Sequence, residues 1–165
     1  MHTDAISVER VTPDGASLDA INRVVEGAVM GWRLAERVKR LVLPSYLYSA
    51  AELTYLDVIV ARETAGMVVG VATLESAAAI DCPHDRRGLL LHGLYIAPAY
   101  QRRGIGKRLL DEVFAVAHAA RVDGVLVKAQ HAAEPFFVAR GFTVLVPTDP
   151  QRQYAHRLWR AVRRA

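Results

Sequence analysis

Between residues 6 and 11 apolar and polar side chains alternate, the period of a strand with one open face, and Thr12-Pro13-Asp14-Gly15 follows with turn chemistry. An edge strand is predicted there. Ser17 is placed to cap a helix, and Leu18, Ile21, Val24, Val25 and Met30 recur at roughly helical spacing until Gly31 interrupts. A second short helix is predicted over 32–43, ended by Pro44, which lacks a backbone donor. Residues 45–53 read as a loop with one helical turn. Strands are predicted over 55–61 and 67–74, joined as a hairpin through a turn at Gly66. A loop around Cys82-Pro83 fills 76–87.

The run 89–96 is almost continuously apolar, as a central buried strand should be. Gly93 interrupts it, which marks a bulge or a close backbone approach. A helix over 104–120 gathers Ile105, Leu109, Leu110, Val113, Phe114 and Val116 or Ala117 on one face. Asp123-Gly124 turns the chain into a strand over 125–129, parallel to the previous one under the crossover rule. A short helix over 133–140 closes at Gly141 as its C-cap. Residues 142–146 and 156–162 then read as two antiparallel strands. The order is strand, two helices, three strands, helix, strand, helix, two strands: a mixed α/β (α+β) sheet with one βαβ unit at its centre.

The central strand runs directly into Gln101-Arg102-Arg103-Gly104-Ile105-Gly106, which opens the long helix. Helix N-termini present unpaired N–H groups and a positive dipole end, so an anion is favoured here for physical reasons. Glycines let the backbone approach a phosphate closely, and Arg103 and Lys107 can add charge-assisted contacts. A dinucleotide fingerprint would need a third glycine at position 109, which is Leu109. A Walker loop would need a hydroxyl after Gly106-Lys107, where Arg108 stands. A purely structural tight turn would use the same glycines.

Composition narrows the classes further. With 165 residues and 52% hydrophobic content the chain suits one domain with a buried core, not a disordered segment. No apolar run approaches ~18 residues, so no transmembrane helix is expected. Met1-His2-Thr3-Asp4-Ala5 has neither the basic nor the apolar region of a secretory signal. The lone cysteine, Cys82, has no intramolecular partner, which points to a reducing, cytoplasmic setting. Neither Cys-x-x-Cys nor His-Glu-x-x-His occurs, so no structural or catalytic metal is expected. The net charge of +4 gathers in two runs: Arg102, Arg103, Lys107 and Arg108 around the glycine turn, and Arg157, Arg160, Arg163 and Arg164 near the end, the latter read as a solvated tail. Cys82-Pro83-His84 juxtaposes a thiol and an imidazole in sequence, which does not make a catalytic dyad.

The stretch from Leu94 to Gly106, with Gln/Arg-x-x-Gly-x-Gly/Ala after a strand and a short Pro-containing loop, resembles motif A of the GNAT superfamily of N-acetyltransferases. The likeness continues through the helix, the next strand and Phe136-Phe137-x-x-x-Gly141-Phe142, and the element order agrees over nearly the whole chain. It implies a single GNAT domain over 1–165, with a central mixed sheet of six to seven strands flanked by about four helices.

The resemblance also implies a cofactor, acetyl-CoA, and a chemistry. The pyrophosphate would rest on the N–H groups of Gln101, Arg102, Arg103, Gly104, Ile105 and Gly106, with Lys107 just inside the helix. The pantetheine arm would lie along the central strand at Leu94, Tyr95 and Ile96, with Gln130 and Phe137 beyond. A neutral amine would attack the thioester, and a backbone N–H near Leu94 would meet the oxyanion. His92 is the candidate base, on the face of Leu94 if no bulge intervenes. Arylalkylamine N-acetyltransferases in this superfamily carry a histidine at the matching strand position. A core histidine bonded to a neighbouring strand is the alternative. Members often show Asn, Ala and Tyr where this chain has Gln130, Ala133 and Phe137. Phe137 cannot give a proton, so the usual tyrosine acid is missing and Tyr95 is a possible substitute. His131 and Glu134 are read as solvated. Trp32, Tyr46 and Tyr48 fall where the superfamily builds its acceptor pocket, with core packing as the other reading. Glu52, Asp57 and Glu75 are candidate pocket carboxylates.

Acetyl transfer to a primary amine, small or peptidic, in a ternary complex is the leading expectation. The alternatives are a non-catalytic CoA-binding sensor or interaction module, and nucleic-acid binding through the arginine-rich end. No nucleic-acid or membrane partner is expected under the leading reading. An exposed edge strand near 157–162 would permit a homodimer.

Overall fold

A computed structural model describes residues 5–164. Seven strands follow one another across the sheet in the order β1-β2-β3-β4-β5-β7-β6: β1 is Ser7–Val11, β2 Asp57–Arg62, β3 Val68–Ser76, β4 Gly88–Ile96, β5 Gly124–Lys128, β6 Thr143–Leu145 and β7 Arg157–Ala161. Among the described residues five α-helices accompany them: α1 Leu18–Met30, α2 Glu36–Tyr46, α3 Ala50–Leu53, α4 Ile105–Ala119 and α5 Glu134–Val138. The mixed α/β class, the expected six to seven strands and the expected helices, about four, agree with this architecture.

The chain divides into two compact units. One comprises the residues up to Thr73 with Gly93–Glu112, the other Leu74–His92 with Val113 onward, so β3, β4 and α4 each run from one unit into the other.

In the first unit, β1 pairs antiparallel with β2 from Ser7↔Arg62 to Val11↔Val58. Ser17 caps α1, accepting from the Ala20 N–H at 3.0 Å. The buried stripe Ile21, Val24, Val25, Ala28 and Val29 follows from the helical period read in the sequence. It joins one core with Tyr48, Leu53, Leu56, Val58, Val60, Val68 and Val71, against which Trp32, Tyr46, Leu47 and Tyr95 pack. Helix α2 departs from expectation. It starts later and carries Pro44 inside its last turn, and the Leu47 N–H bonds the Leu43 carbonyl to close the end. Pro44 cannot donate to the Arg40 carbonyl, so that one bond of the ladder is absent while the turn beyond it is held by Leu47 N–H to Leu43 O. The helical turn within 45–53 is α3, fixed by a capping box between Ser49 and Glu52.

In the second unit, β4 and β5 pair in parallel from Gly88↔Gly124 to Leu91↔Val127, and β5 pairs antiparallel with β7 from Gly124↔Ala161 to Lys128↔Arg157. Gly88 and Gly124 are small because the Trp159 indole covers both; a Cβ on either would lie 2.6 or 2.3 Å from its ring. Gly141, at φ +86, ends α5 in the manner of a Schellman motif, with Phe142 N–H bonding Phe137 O and Gly141 N–H bonding Val138 O.

Strand β7 corrects two expectations. It lies between β5 and β6, so 157–162 is no free edge; the edge strand on that side of the sheet is the three-residue β6. Nor is Arg157 part of a solvated tail. It is 2% exposed, and its guanidinium donates to Asp81 O at 2.6 Å, Tyr154 O at 3.1 Å and Gln153 Oε1 at 3.2 Å.

Candidate functional site

Strand β4 holds the candidate chemistry, and its backbone is irregular where that chemistry sits. Beyond the ladder itself, bonds at its two ends join it to β3: Ala77 N–H to Gly88 O at 2.9 Å and Ala97 N–H to Val69 O at 2.8 Å. From one bond to the other the chain advances from Val69 to Ala77 on β3 and from Gly88 to Ala97 on its partner, one residue more. That surplus is a β-bulge. The parallel pairing with β5 reaches only Leu91↔Val127, whereas β4 continues to Ile96.

The bulge changes what His92 faces. Thr73 and Glu75 lie two apart on β3 and so share a face. His92 Nδ1 is 3.3 Å from Glu75 Oε1, and a Cβ on Gly93 would be 3.4 Å from Thr73 Oγ1. His92 and Gly93, though adjacent, therefore point to the same side. The condition under which His92 would share a face with Leu94 fails. His92 lies beside Glu75, and Gly93 beside Thr73. Glu75, expected as a pocket carboxylate, is the partner of the histidine. The signal was available only as β3–β4 register, which a bulge hides from sequence.

Gly93 is glycine for a spatial reason. A Cβ would meet the Tyr48 hydroxyl at 2.4 Å and the Tyr95 ring at 2.7 Å. Trp32 and Tyr46 form an edge-to-face pair with centroids 5.0 Å apart. Burial, followed by the neighbouring Tyr48 and Tyr46 hydroxyls, pushes the Tyr95 phenol up from its usual 10.0, which keeps it protonated and makes it a weaker acid. Of the other candidate carboxylates, Asp57 pairs with Arg10 and Glu52 is spent on the Ser49 cap.

The glycine turn forms as the sequence suggests. Pro98–Tyr100 is a 3-10 turn, and the Gln101 side chain donates to Ile96 O at 3.0 Å, pinning the loop to the end of β4. Arg102 and Gly104 have φ of +61 and +76, and a Cβ on Gly104 would touch nothing within 4 Å. The Arg108 N–H bonds Gly104 O at 3.2 Å and starts the helical ladder, so the N–H groups ahead of it lie in the helix's first turn, where no intrahelical acceptor exists. Arg103 lies over the Tyr100 ring at 5.0 Å, and the Tyr100 hydroxyl donates to Glu63. Lys107 pairs with Asp111 at 3.0 Å on the exposed side of α4.

In the second unit, Gln130 is exposed and precedes the 3-10 turn His131–Ala133 that leads into α5. Phe137 is 6% exposed, packed against Phe136 and Phe142 at centroid distances of 5.1 and 5.3 Å. Cys82 is buried, and burial followed by the adjacent Asp81 charge raises its thiol, the opposite of nucleophile activation.

The fold is mixed α/β, with a parallel β4–β5 pair and a glycine turn heading a fifteen-residue helix. The family model described as acetyltransferase (GNAT) domain matches residues 42–162, and the chain belongs to that family. No match is found among curated protein sequences. Among solved structures, the chain is similar to the PaiA N-acetyltransferase of Thermoplasma acidophilum in complex with coenzyme A: TM-score 0.68, 15% identity, 95% of this chain and 99% of that one covered. It is similar to AtaTR bound with acetyl-CoA (0.63, 19%, 96% and 94%) and to the protein in the KacTA–DNA complex (0.64, 20%, 96% and 94%). These likenesses establish the fold. Among the described residues, no helix is long and apolar enough to cross a membrane.

Proposed function

We propose that this protein is an acetyl-CoA-dependent N-acetyltransferase that moves acetyl to a primary amine by direct transfer. The observation that carries the reading is the course of β4: it runs on to Ile96 beyond its last parallel pairing at Leu91, bulges at His92-Gly93, and delivers the chain into the glycine turn at the head of α4. A strand released from one neighbour can pair with an extended ligand arm, and a helix N-terminus can take the phosphates at that arm's end. Coenzyme A has that shape. The family match, and neighbours bound to coenzyme A or acetyl-CoA, support the choice.

In this reading Gln101 to Gly106 hold the pyrophosphate, with Lys107 exchanging its Asp111 partner for phosphate. Leu94, Tyr95 and Ile96 flank the pantetheine on β4. Acetyl-CoA supplies an activated thioester carbon. With the cofactor bound, that carbon would accept a neutral amine nitrogen as its bond to sulfur breaks, leaving the acetamide and CoA thiolate, and the Leu94 N–H would be the donor toward the carbonyl oxygen. His92, with its proton on Nδ1 toward Glu75, takes the amine proton at Nε2 and can return it to the thiolate, so the products are an amide and CoA thiol. Tyr95 is a second proton donor on that strand. Trp32 and Tyr46 provide an aromatic wall for the acceptor.

Thermal unfolding with acetyl-CoA, CoA, ATP and NAD tests the cofactor. A ligand at ~100 times its Kd adds about 2.7 kcal/mol, or roughly 5–11 °C at this chain length. A shift confined to the CoA species supports the reading, and equal shifts with NAD overturn it. Release of free thiol across an amine panel then separates an enzyme from a CoA-binding sensor.

A further inference from the structure

We infer that His131, Glu134 and His156 form a binding site for a divalent transition-metal ion of the zinc class. One ligand atom from each residue lies within 4.8 Å of the others. The backbone brings them together. β5 and β7 end in register at Lys128↔Arg157, and one step further the Ala129 N–H bonds the His156 carbonyl at 3.1 Å, fixing His156 beside the chain that leaves β5. Two residues on, His131 opens the 3-10 turn, closed by Ala133 N–H to Gln130 O at 2.9 Å, and Glu134 follows three residues later on the same side.

The donors converge without satisfying one another. His131 Nδ1 and the nearer Glu134 oxygen are 3.8 Å apart, beyond hydrogen-bond length, and the two imidazole centroids are 5.8 Å apart. Metal bonds of about 2.0–2.2 Å in tetrahedral array place ligand atoms roughly 3.3–3.6 Å apart. Closing that difference takes only side-chain rotation, since the His131 side chain is 84% exposed and His156 is exposed too. Two imidazoles and one carboxylate are a borderline-soft set that suits zinc and its first-row neighbours rather than magnesium or calcium, and three protein ligands leave a position for water. Tyr154, with its ring 6.2 Å from His156, flanks the site. No sequence motif marks the set, because His156 comes from the far end of another loop. This site is independent of the proposed acetyl transfer. An ion held there would tie the turn after Gln130 to the start of β7.

The test is isothermal titration of Zn2+ into the untagged full chain, freed of metal by chelator, alongside His156→Ala, Glu134→Gln and His84→Ala. Binding near one ion per chain is expected, weakened at least tenfold in His156→Ala and Glu134→Gln and unchanged in His84→Ala, a histidine remote in sequence and exposed. Zn2+ should also raise the Tm of the wild type and not of His156→Ala, with circular dichroism confirming that each variant is folded. Absence of binding at about 100 µM zinc, or binding that persists in His156→Ala at wild-type affinity, overturns the site.

Discussion

The Tyr48 hydroxyl lies 2.7 Å from Oγ1 of Thr73, and both residues are buried. This pair occupies the space that a side chain at Gly93 would need, since the nearest atom to a Cβ there is the Tyr48 oxygen. Gly93→Ala is therefore expected to lose about 1–3 kcal/mol through overpacking. Tyr48→Phe alone should cost about 1 kcal/mol for the lost bond. Combined with Gly93→Ala it should cost less than the two losses together, because the nearest obstacle has gone. Urea denaturation of the four proteins checks this, and full additivity would show that the contact is not the reason for the glycine.

The same residue shows how far the sequence could be read. An apolar run broken by one glycine was enough to mark a bulge or close approach at Gly93, because few other causes place glycine inside a central strand. Local signals likewise yielded Ser17 as a cap, Gly141 as a helix stop and the stripe of α1. What escaped depended on partners distant in the chain. Pro44 looked like a helix end because its neighbours' bonds cannot be seen in one dimension. Arg157 looked like part of a charged tail because its acceptors, Asp81 O above all, lie on another loop. The face of His92 was open to error for the same reason: a bulge reverses alternation, and only the β3 register reveals it.

If His92 is the base, His92→Ala should lower kcat by about 10²–10⁴ with acetyl-CoA affinity retained. Glu75→Gln should lower kcat by about tenfold, since it leaves the imidazole present and removes only the carboxylate that orients it. Tyr95→Phe should cost less than about tenfold, because a phenol whose pKa has been pushed up is a poor acid. Steady-state kinetics on the three variants decide the order. Wild-type turnover in His92→Ala would remove the assignment.

At the glycine turn, Gly104 has φ +76 with open space beyond its α-carbon. Gly104→Ala should cost about 1–2 kcal/mol for the left-handed backbone alone. Its effect on CoA is a separate matter: if the phosphates rest on this turn as proposed, the added methyl should raise the CoA Kd by about tenfold or more, equal to ~1.4 kcal/mol. Calorimetry and unfolding together distinguish the two. A variant that loses stability and binds CoA as before would mean that the turn is structural.

Arg157 anchors the loop between β3 and β4 from the opposite end of the sequence. Arg157→Met keeps the volume and leaves the Asp81 and Tyr154 carbonyls without their donor, at about 1–3 kcal/mol for a buried orphaned acceptor. Arg157→Lys should recover little, because one ammonium cannot span three acceptors that a planar fork reaches. Melting temperatures of both variants, with CD spectra to confirm folding, test this. A lysine variant as stable as wild type would refute the fork argument.

Asp123 gives the fold a dependence on acid. Its carboxylate accepts the Arg87 N–H at 2.9 Å and faces the Arg164 guanidinium at 2.6 Å. The backbone N–H first, then the charges of Arg164, Arg86 and Arg87, hold its pKa below the ordinary 3.8. A carboxyl whose pKa is depressed by folding binds its proton more readily in the unfolded chain. Its stabilisation is therefore complete above the ordinary value and is lost as pH falls through the native one. Asp123→Asn keeps the shape and removes the charge, so it should melt below the wild type at neutral pH. The gap should narrow steadily in acid and close once the wild-type carboxyl is protonated. Parallel melts of both proteins from neutral pH down to about pH 2.5 read this directly. A gap that stays constant across that range would assign the effect to hydrogen-bond geometry and not to charge.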